Sequence, residues 1–274
     1  MDSAETFTIK RITREGKKAT EDMVTREIPL TVILNNRELV TLLCSPIELK
    51  YLAIGFLASE GLLKSKDEIS RVIVDDQRGV VRVETETDRD SELIFKRFIT
   101  SGCGRGTTFY SAADIQDQVR VESKTVVSAP EVFTLVKEFQ RCSRLYRATG
   151  VVPSAALCDA ENILVFSEDI GRHNAIDKIF GRCLLEDIAT DGRMIITSGR
   201  VSSEILLKVA RRNIPIIISK SAPTDLGVAL ANDFGITLIG FARGKRMNAY
   251  TNDWRIVTDG RIGVSANREG RGDC

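Results

Sequence analysis

The chain has 274 residues with 39 Lys and Arg against 38 Asp and Glu, a balance that excludes a strong global field for nucleic acid or an anionic membrane. Apolar residues make up 43% and charged residues 28%, so a folded core is expected and a disordered chain is not. No apolar run reaches the roughly 18 residues of a membrane span, and the N-terminal MDSAETFTIKRITREGKK lacks an apolar signal region, so a cytoplasmic protein is expected.

In chain order, the first clear elements are two β-rich runs, 28–34 and 37–44, flanking Asn35-Asn36, a dipeptide that tolerates the positive φ of a tight hairpin turn. Ser45-Pro46-Ile47-Glu48 then has the form of an N-cap, a first-turn proline and a capping-box glutamate. It predicts a helix carrying Leu49, Leu52, Phe56 and Leu57 on one face, running to about Ser59 and stopping at Gly61. Residues 69–74 and 80–84, joined across 75–79, predict a second hairpin and complete a small α+β portion. From Ser101 to about Thr125 small, polar and glycine residues dominate and mark an active or connecting loop. A second capping box, Ser128-Ala129-Pro130-Glu131, opens a helix with Val132, Leu135, Val136 and Phe139 turned inward, ending before Gly150.

Beyond Gly150 short apolar strands alternate with helices. The strands are expected at 163–166, 194–197, 214–218 and 236–241, the helices near 172–183, 202–212 and 224–234. Isoleucine-rich strands of this kind suit a largely parallel sheet with helices on both faces. The fold class is therefore α/β, with a smaller N-terminal α+β portion, divided at 1–125 and 126–274. Ligands of such sheets sit at the carboxyl ends of the strands, so the loops 167–173, 198–202, 219–224 and 242–248 should line one crevice.

Four segments carry candidate chemistry. EDIGRHNAIDK at 168–178 takes Arg172 and the only histidine, His173, into a helix start that could hold an oxyanion, but on spacing alone a capped, salt-bridged helix start is the reading to prefer. TSGRVSSE at 197–204 places Ser198, Gly199, Arg200 and Ser202 between a strand and a helix N-terminus, without the spacing of a Walker loop. Phe241-Ala242-Arg243-Gly244-Lys245-Arg246 puts three cations directly after the last expected strand, the best local candidate for a phosphate-bearing ligand, with a solvated basic loop as the alternative. Gly102-Cys103-Gly104-Arg105-Gly106 sets one thiol in a glycine loop beside a cation that would favour the thiolate, with a free loop cysteine of no role as the alternative. Cys44, Cys158 and Cys183 adjoin leucine and are expected to be buried hydrophobes; Cys142 and Cys274 complete the six, with no C-x-x-C pair and no zinc pattern.

Together the stretches EIPLTVILNN, YLAIGFLASEGLL, TSGCG, EDIGRHNAIDK, TSGRVSSEILLKVA, IPIIISKSAP and LIGFARGKRMNAYT resemble the FdhD/NarQ family, the formate dehydrogenase accessory sulfurtransferases, from about Glu27 to Thr251. The resemblance implies a sulfur carrier that takes persulfide sulfur from a cysteine desulfurase. It passes that sulfur to the molybdenum bis-molybdopterin guanine dinucleotide cofactor before insertion into formate dehydrogenase. The family's persulfide cysteine matches Cys103 and its cofactor-binding segment matches Phe241 to Arg246. GDP is the expected surrogate ligand, a homodimer is expected, and the C-terminal part is expected to be similar to the cytidine deaminase fold. Deaminase chemistry is not expected, because the H-x-E and P-C-x-x-C zinc signature is missing. The chain departs from the family pattern at Gly106, where a second cysteine is common, at Pro153, where histidine is common, and at Ser167, often basic or histidine. The alternative implied by Gly106 is a protein that delivers the cofactor without moving sulfur.

Overall fold

The computed structural model describes residues 3–86, 120–150 and 152–258, and the backbone pairing of 98–99 with 107–108. Cys103, with Arg105 and Gly106, and Cys274 lie outside the described residues.

The N-terminal portion begins with β1 (Ala4–Thr13) and β2 (Gly16–Thr25), an antiparallel ribbon that the sequence reading missed. Next come β3 (Ile28–Leu34), β4 (Arg37–Cys44), α1 (Leu49–Ser59), β5 (Ile69–Asp75) and β6 (Val80–Thr85), forming a four-stranded sheet in the order β4-β3-β6-β5. Asn35 and Asn36 both take positive φ, 46° and 63°, as the tight hairpin turn requires. α1 lays Leu52, Ile54, Phe56 and Leu57 into a core with Leu30, Val32, Val81 and Val83. It ends at Gly61 (φ 76°), where Leu62 N–H returns to Leu57 O at 2.8 Å.

At its other end α1 departs from expectation. Glu48 has φ 57° and ψ 33° and no side chain caps the helix, so Ser45-Pro46-Ile47-Glu48 is not a capping box. The second pattern is one: Ser128 Oγ accepts from Glu131 N–H at 3.3 Å and Glu131 Oε2 accepts from Ser128 N–H at 2.7 Å.

After β7 (Phe98–Ile99), β8 (Thr107–Thr108) and β9 (Val127–Ser128), the single expected helix is two, α2 (Ala129–Cys142) and α3 (Arg144–Thr149). They break at Ser143, whose hydroxyl bonds Phe139 O and Ser154 Oγ, while Glu168 takes the Leu145 and Tyr146 N–H groups at the new helix start. The remaining elements are β10 (Ser154–Cys158), β11 (Ile163–Glu168), α4 (Arg172–Leu185), β12 (Met194–Thr197), α5 (Ser203–Arg211), β13 (Ile216–Ser219), α6 (Asp225–Asp233), β14 (Thr237–Arg243), β15 (Arg246–Thr251) and β16 (Ile256–Val257). They build a six-stranded sheet in the order β11-β10-β12-β13-β14-β15. Only the β12–β13 and β13–β14 pairs are parallel; β10 is antiparallel to β11 and β12, and β15 to β14, so the sheet is mixed rather than largely parallel. The connections β10–β11 and β14–β15 are short, and short connections join strands only antiparallel.

Alternate strand residues feed two cores. Ala155, Leu157, Ile195, Ile217 and Leu238 face α4, α5 and α6, whereas Ala156, Met194, Ile196, Ile218 and Ile239 face α2, giving the three-layer α/β arrangement. The two portions meet where α1 crosses α4. A Cβ on Gly55 would lie 1.7 Å from Asp177 O and one on Gly181 1.9 Å from Tyr51 O, so the helix backbones touch only because both residues are glycine.

Candidate functional site

The EDIGRHNAIDK segment is, for the most part, the joint between the two portions. Asp169 is fully buried and pairs with buried Lys178 at 2.7 Å. Its carboxylate also accepts from Ser45 N–H, Gly171 N–H and Asn174 Nδ2 at 3.1, 2.8 and 2.8 Å. Ser45 Oγ accepts from Ile170 N–H, and Ser167 Oγ donates to Glu48 Oε2 at 2.5 Å. Asp177 accepts from Ser59 Oγ and from Lys208 Nζ at 2.6 and 2.7 Å. These charges are buried because each has an opposite charge and further hydrogen bonds, the condition under which buried ions persist.

Arg172 and His173, at the first turn of α4, face the turn after β12 and the start of α5. Arg172 packs against Gly199, where an added Cβ would sit 2.9 Å from the arginine Cβ. His173 Nε2 is 3.5 Å from Glu204 Oε2, and burial, then Lys208 and then Arg172 push its pKa down to about 3, so the imidazole is neutral at physiological pH. Glu204 shifts upward, because burial outweighs the attraction of Lys208 and Arg172. Arg172 Nε, His173 Nε2 and Ser202 Oγ are buried without a hydrogen-bond partner, three such atoms around one pair of loops.

The rim continues by hydrogen bonds. Ser198 is engaged with Ser154, its N–H donating to Ser154 O and its Oγ accepting from Ser154 N–H at 2.9 Å. Ser219 Oγ donates to Gly199 O at 2.7 Å, Lys220 N–H to Thr197 O, and Arg243 Nε to Lys220 O at 3.1 Å. Phe241 N–H reaches Ser221 O at 3.0 Å. The 198–202, 219–224 and 241–243 segments are thus bonded into one edge at the carboxyl ends of β12, β13 and β14, where the α/β pattern places ligands.

The cationic segment is not a loop after the last strand, as expected, but a hairpin tip. β14 runs through Arg243, Gly244 turns at φ 59°, and β15 starts at Arg246. The register slips between Gly240 and Arg243, and there Phe241 is held at φ 53°, an uncommon conformation for a bulky residue. Ala242 is buried, while Phe241, Arg243, Gly244, Lys245 and Arg246 are exposed at the tip, as is Arg200 on its own turn.

Lys220 is the residue that motif reading passed over. It is placed beside Arg243; burial and then that guanidinium lower its ammonium pKa, and no carboxylate contributes. Among the described residues neither Lys220 nor Arg243 is in a salt bridge, so two adjacent cations share an edge with no counter-ion. Its signal in the sequence was position alone, directly after the apolar strand at 216–219.

The site is an open edge. Two cavities of about 340 Å³ lie elsewhere, one by Val127, Asp159 and Met194, the other by Lys64, Cys183 and Arg212. Among the described residues no group of three metal-ligating side chains occurs. The described cysteines all have thiol pKa values raised chiefly by burial, Cys44 and Cys158 to about 12 and Cys183 to about 11, with Cys142 raised as well. Such thiols stay protonated and are poor nucleophiles. No helix among the described residues is long and apolar enough to cross a membrane.

Residues 25–257 match the model of the FdhD/NarQ family. The sulfur carrier protein FdhD of Bacillus pumilus (strain SAFR-032) is 44% identical over 247 residues, covering 89% of this chain and 94% of that one. The protein of the same name from Staphylococcus aureus (strain MRSA252) is 40% identical over 240 residues, covering 87% and 91%. A crystal structure described as a formate dehydrogenase accessory protein from Desulfotalea psychrophila superposes with a TM-score of 0.78 at 26% identity, over 93% of this chain and 100% of that one.

Proposed function

The chain belongs to the FdhD/NarQ family, and from that premise we propose that it is a sulfur carrier in formate dehydrogenase maturation, acting in the cytoplasm; its relatives' names, sulfur carrier protein and formate dehydrogenase accessory protein, support the first part of this reading. In this reading the Cys103 thiolate attacks the outer sulfur of a cysteine desulfurase persulfide. A new S–S bond forms, the donor's S–S bond breaks, and the donor cysteine leaves as thiolate. The substrate that receives the sulfur is the molybdenum bis-molybdopterin guanine dinucleotide cofactor, held at the 198–202, 219–224 and 241–246 edge. The protein is then a sulfurtransferase that works as a homodimer, and its three-layer C-terminal part is read as deaminase-like.

The observation that carries the binding part is the pair of cations, Lys220 beside Arg243, with no counter-ion among the described residues. A guanine nucleotide's diphosphate supplies the missing charge, and the exposed Lys245 and Arg246 at the hairpin tip add to the field that draws it in. The raised thiol pKa values of Cys44, Cys142, Cys158 and Cys183 support Cys103 as the thiol that reacts.

Calorimetry with GDP tests the binding part. Lys220→Ala and Arg243→Ala should each weaken affinity by roughly tenfold or more, the loss of one charge-assisted contact; unchanged affinity in folded variants would remove the edge as the nucleotide site. Peptide mass spectrometry after incubation with a cysteine desulfurase and cysteine tests the sulfur part. Added sulfur should appear on the Cys103 peptide and vanish in Cys103→Ala. The second reading, cofactor delivery without sulfur transfer, is favoured by Gly106, which leaves no neighbouring thiol to resolve the persulfide. GDP binding without any persulfide on Cys103 would establish it over the first.

A further inference from the structure

The ribbon of β1 and β2 stands apart from the two sheets. Ten residues of each strand pair with one another and, among the described residues, with no other strand. An isolated two-stranded ribbon is marginally stable at best in water, so its faces need cover. Among the described residues the body's hydrogen bond to the ribbon is at its base, where Thr25 Oγ1 donates to Thr149 Oγ1 at 2.9 Å, and there Arg26 N–H closes the ribbon onto Ser3 O. The family match begins at residue 25, where β2 ends.

Residues opposite one another in an antiparallel pair share a face. The face turned away from Thr25 carries, from base to tip, Glu5 with Val24, Phe7 with Asp22, Ile9 with Thr20, and Arg11 with Lys18. Glu5, Asp22, Arg11 and Lys18 are exposed, and no salt bridge engages them among the described residues; Phe7 and Val24 keep 48% and 45% exposure. The face is therefore acidic at its base, apolar in its middle and basic at its tip.

We propose that this face is a docking surface for a second copy of the chain, the two ribbons packing face to face and antiparallel about a twofold axis. Laid against itself in that way, the Arg11 and Lys18 level meets the Glu5 level of the other copy with Asp22 beside it, and Ile9 meets Phe7. A twofold interface must be self-complementary, and a charge gradient of opposite ends with an apolar centre is what that symmetry demands. A partner of uniform charge would be repelled at one end. The proposal names the surface of the homodimer suggested above and is independent of sulfur chemistry.

Sedimentation of the full chain over micromolar concentrations tests it. Wild type should self-associate, less at high salt because exposed pairs are screened. Arg11→Glu with Lys18→Glu should weaken self-association by roughly tenfold or more, and so should Glu5→Lys with Asp22→Lys, since each sets like charges opposite. An equimolar mixture of the two variants should form mixed dimers, and a chain carrying all four changes should dimerise again, which also controls for misfolding. A monomeric wild type would overturn both the ribbon and the homodimer. A wild-type dimer that the reversals leave intact, or a mixture and fourfold variant that stay monomeric, would overturn the ribbon alone and assign the dimer to another face or the ribbon to another partner.

Discussion

Ser45-Pro46-Ile47-Glu48 and Ser128-Ala129-Pro130-Glu131 are two versions of one local pattern, and the molecule uses them differently. At 128–131 the serine and glutamate satisfy each other's N–H groups and start α2. At 45–48 the same residue types turn outward to a distant partner: Ser45 N–H goes to Asp169, Ser45 Oγ takes Ile170 N–H, and Glu48 takes the Ser167 hydroxyl. The cause is the buried Asp169–Lys178 pair, since a carboxylate removed from water has to fill its remaining lone pairs from whatever donors the fold brings near. A capping motif holds only where no buried charge competes for its atoms.

The largest effect is expected at the competing charge. Asp169→Asn leaves Lys178 buried without its counter-ion and should cost on the order of 3–5 kcal/mol, read from urea midpoints; adding Lys178→Met should recover part of it. Stability within about 1 kcal/mol of wild type in the single variant would mean that Ser45 is drawn away from α1 by something other than this pair.

Next come the two serines. Ser45→Ala and Ser128→Ala should each cost about 1 kcal/mol, so magnitude alone does not separate them. Double-mutant cycles do. Ser128→Ala with Glu131→Gln should show coupling of about 0.5 kcal/mol or more, because those side chains serve one reciprocal box. Ser45→Ala with Glu48→Gln should be close to additive, because their partners differ. Equal coupling in both cycles would restore a capping box at 45–48.

The smallest effect is in pH. The Ser128 side-chain and backbone hydrogen bonds hold the Glu131 carboxyl below its ordinary value of 4.5. A depressed carboxyl contributes stability that is present above the unfolded value and lost as pH falls through the folded one. The stability difference between wild type and Glu131→Gln should therefore be constant above about pH 5 and shrink on acidification below 4.5. A difference that grows on acidification would reverse the assignment.

Local signals survived wherever the chain's neighbours in sequence were also its neighbours in space. Asn35-Asn36, Gly61, the α2 capping box, β12 at 194–197 and the helices α4, α5 and α6 were legible for that reason. β10 was not, since Ser154–Cys158 is a run of small buried residues whose strand character comes from β11 and β12 on either side. The ribbon was missed because its strands are too polar to show a buried face. Of the candidate site, the strand-end loops and the cations at 243–246 stood in the sequence, but Lys220 carries no motif and its meaning depends on Arg243 lying beside it.

The sequence by itself determined the family, the alternation of strands and helices after Gly150, and the residues that start and stop most helices, because those depend on local periodicity and backbone preference. Tertiary structure alone decided that the sheet is mixed, that α1 and α4 touch through Gly55 and Gly181, that Ser45 serves Asp169, and that Lys220 joins Arg243 with no counter-ion among the described residues. Each of these depends on which buried charge or backbone surface arrives from a hundred residues away or from the adjoining strand, and burial sets the energy of an unpaired polar group.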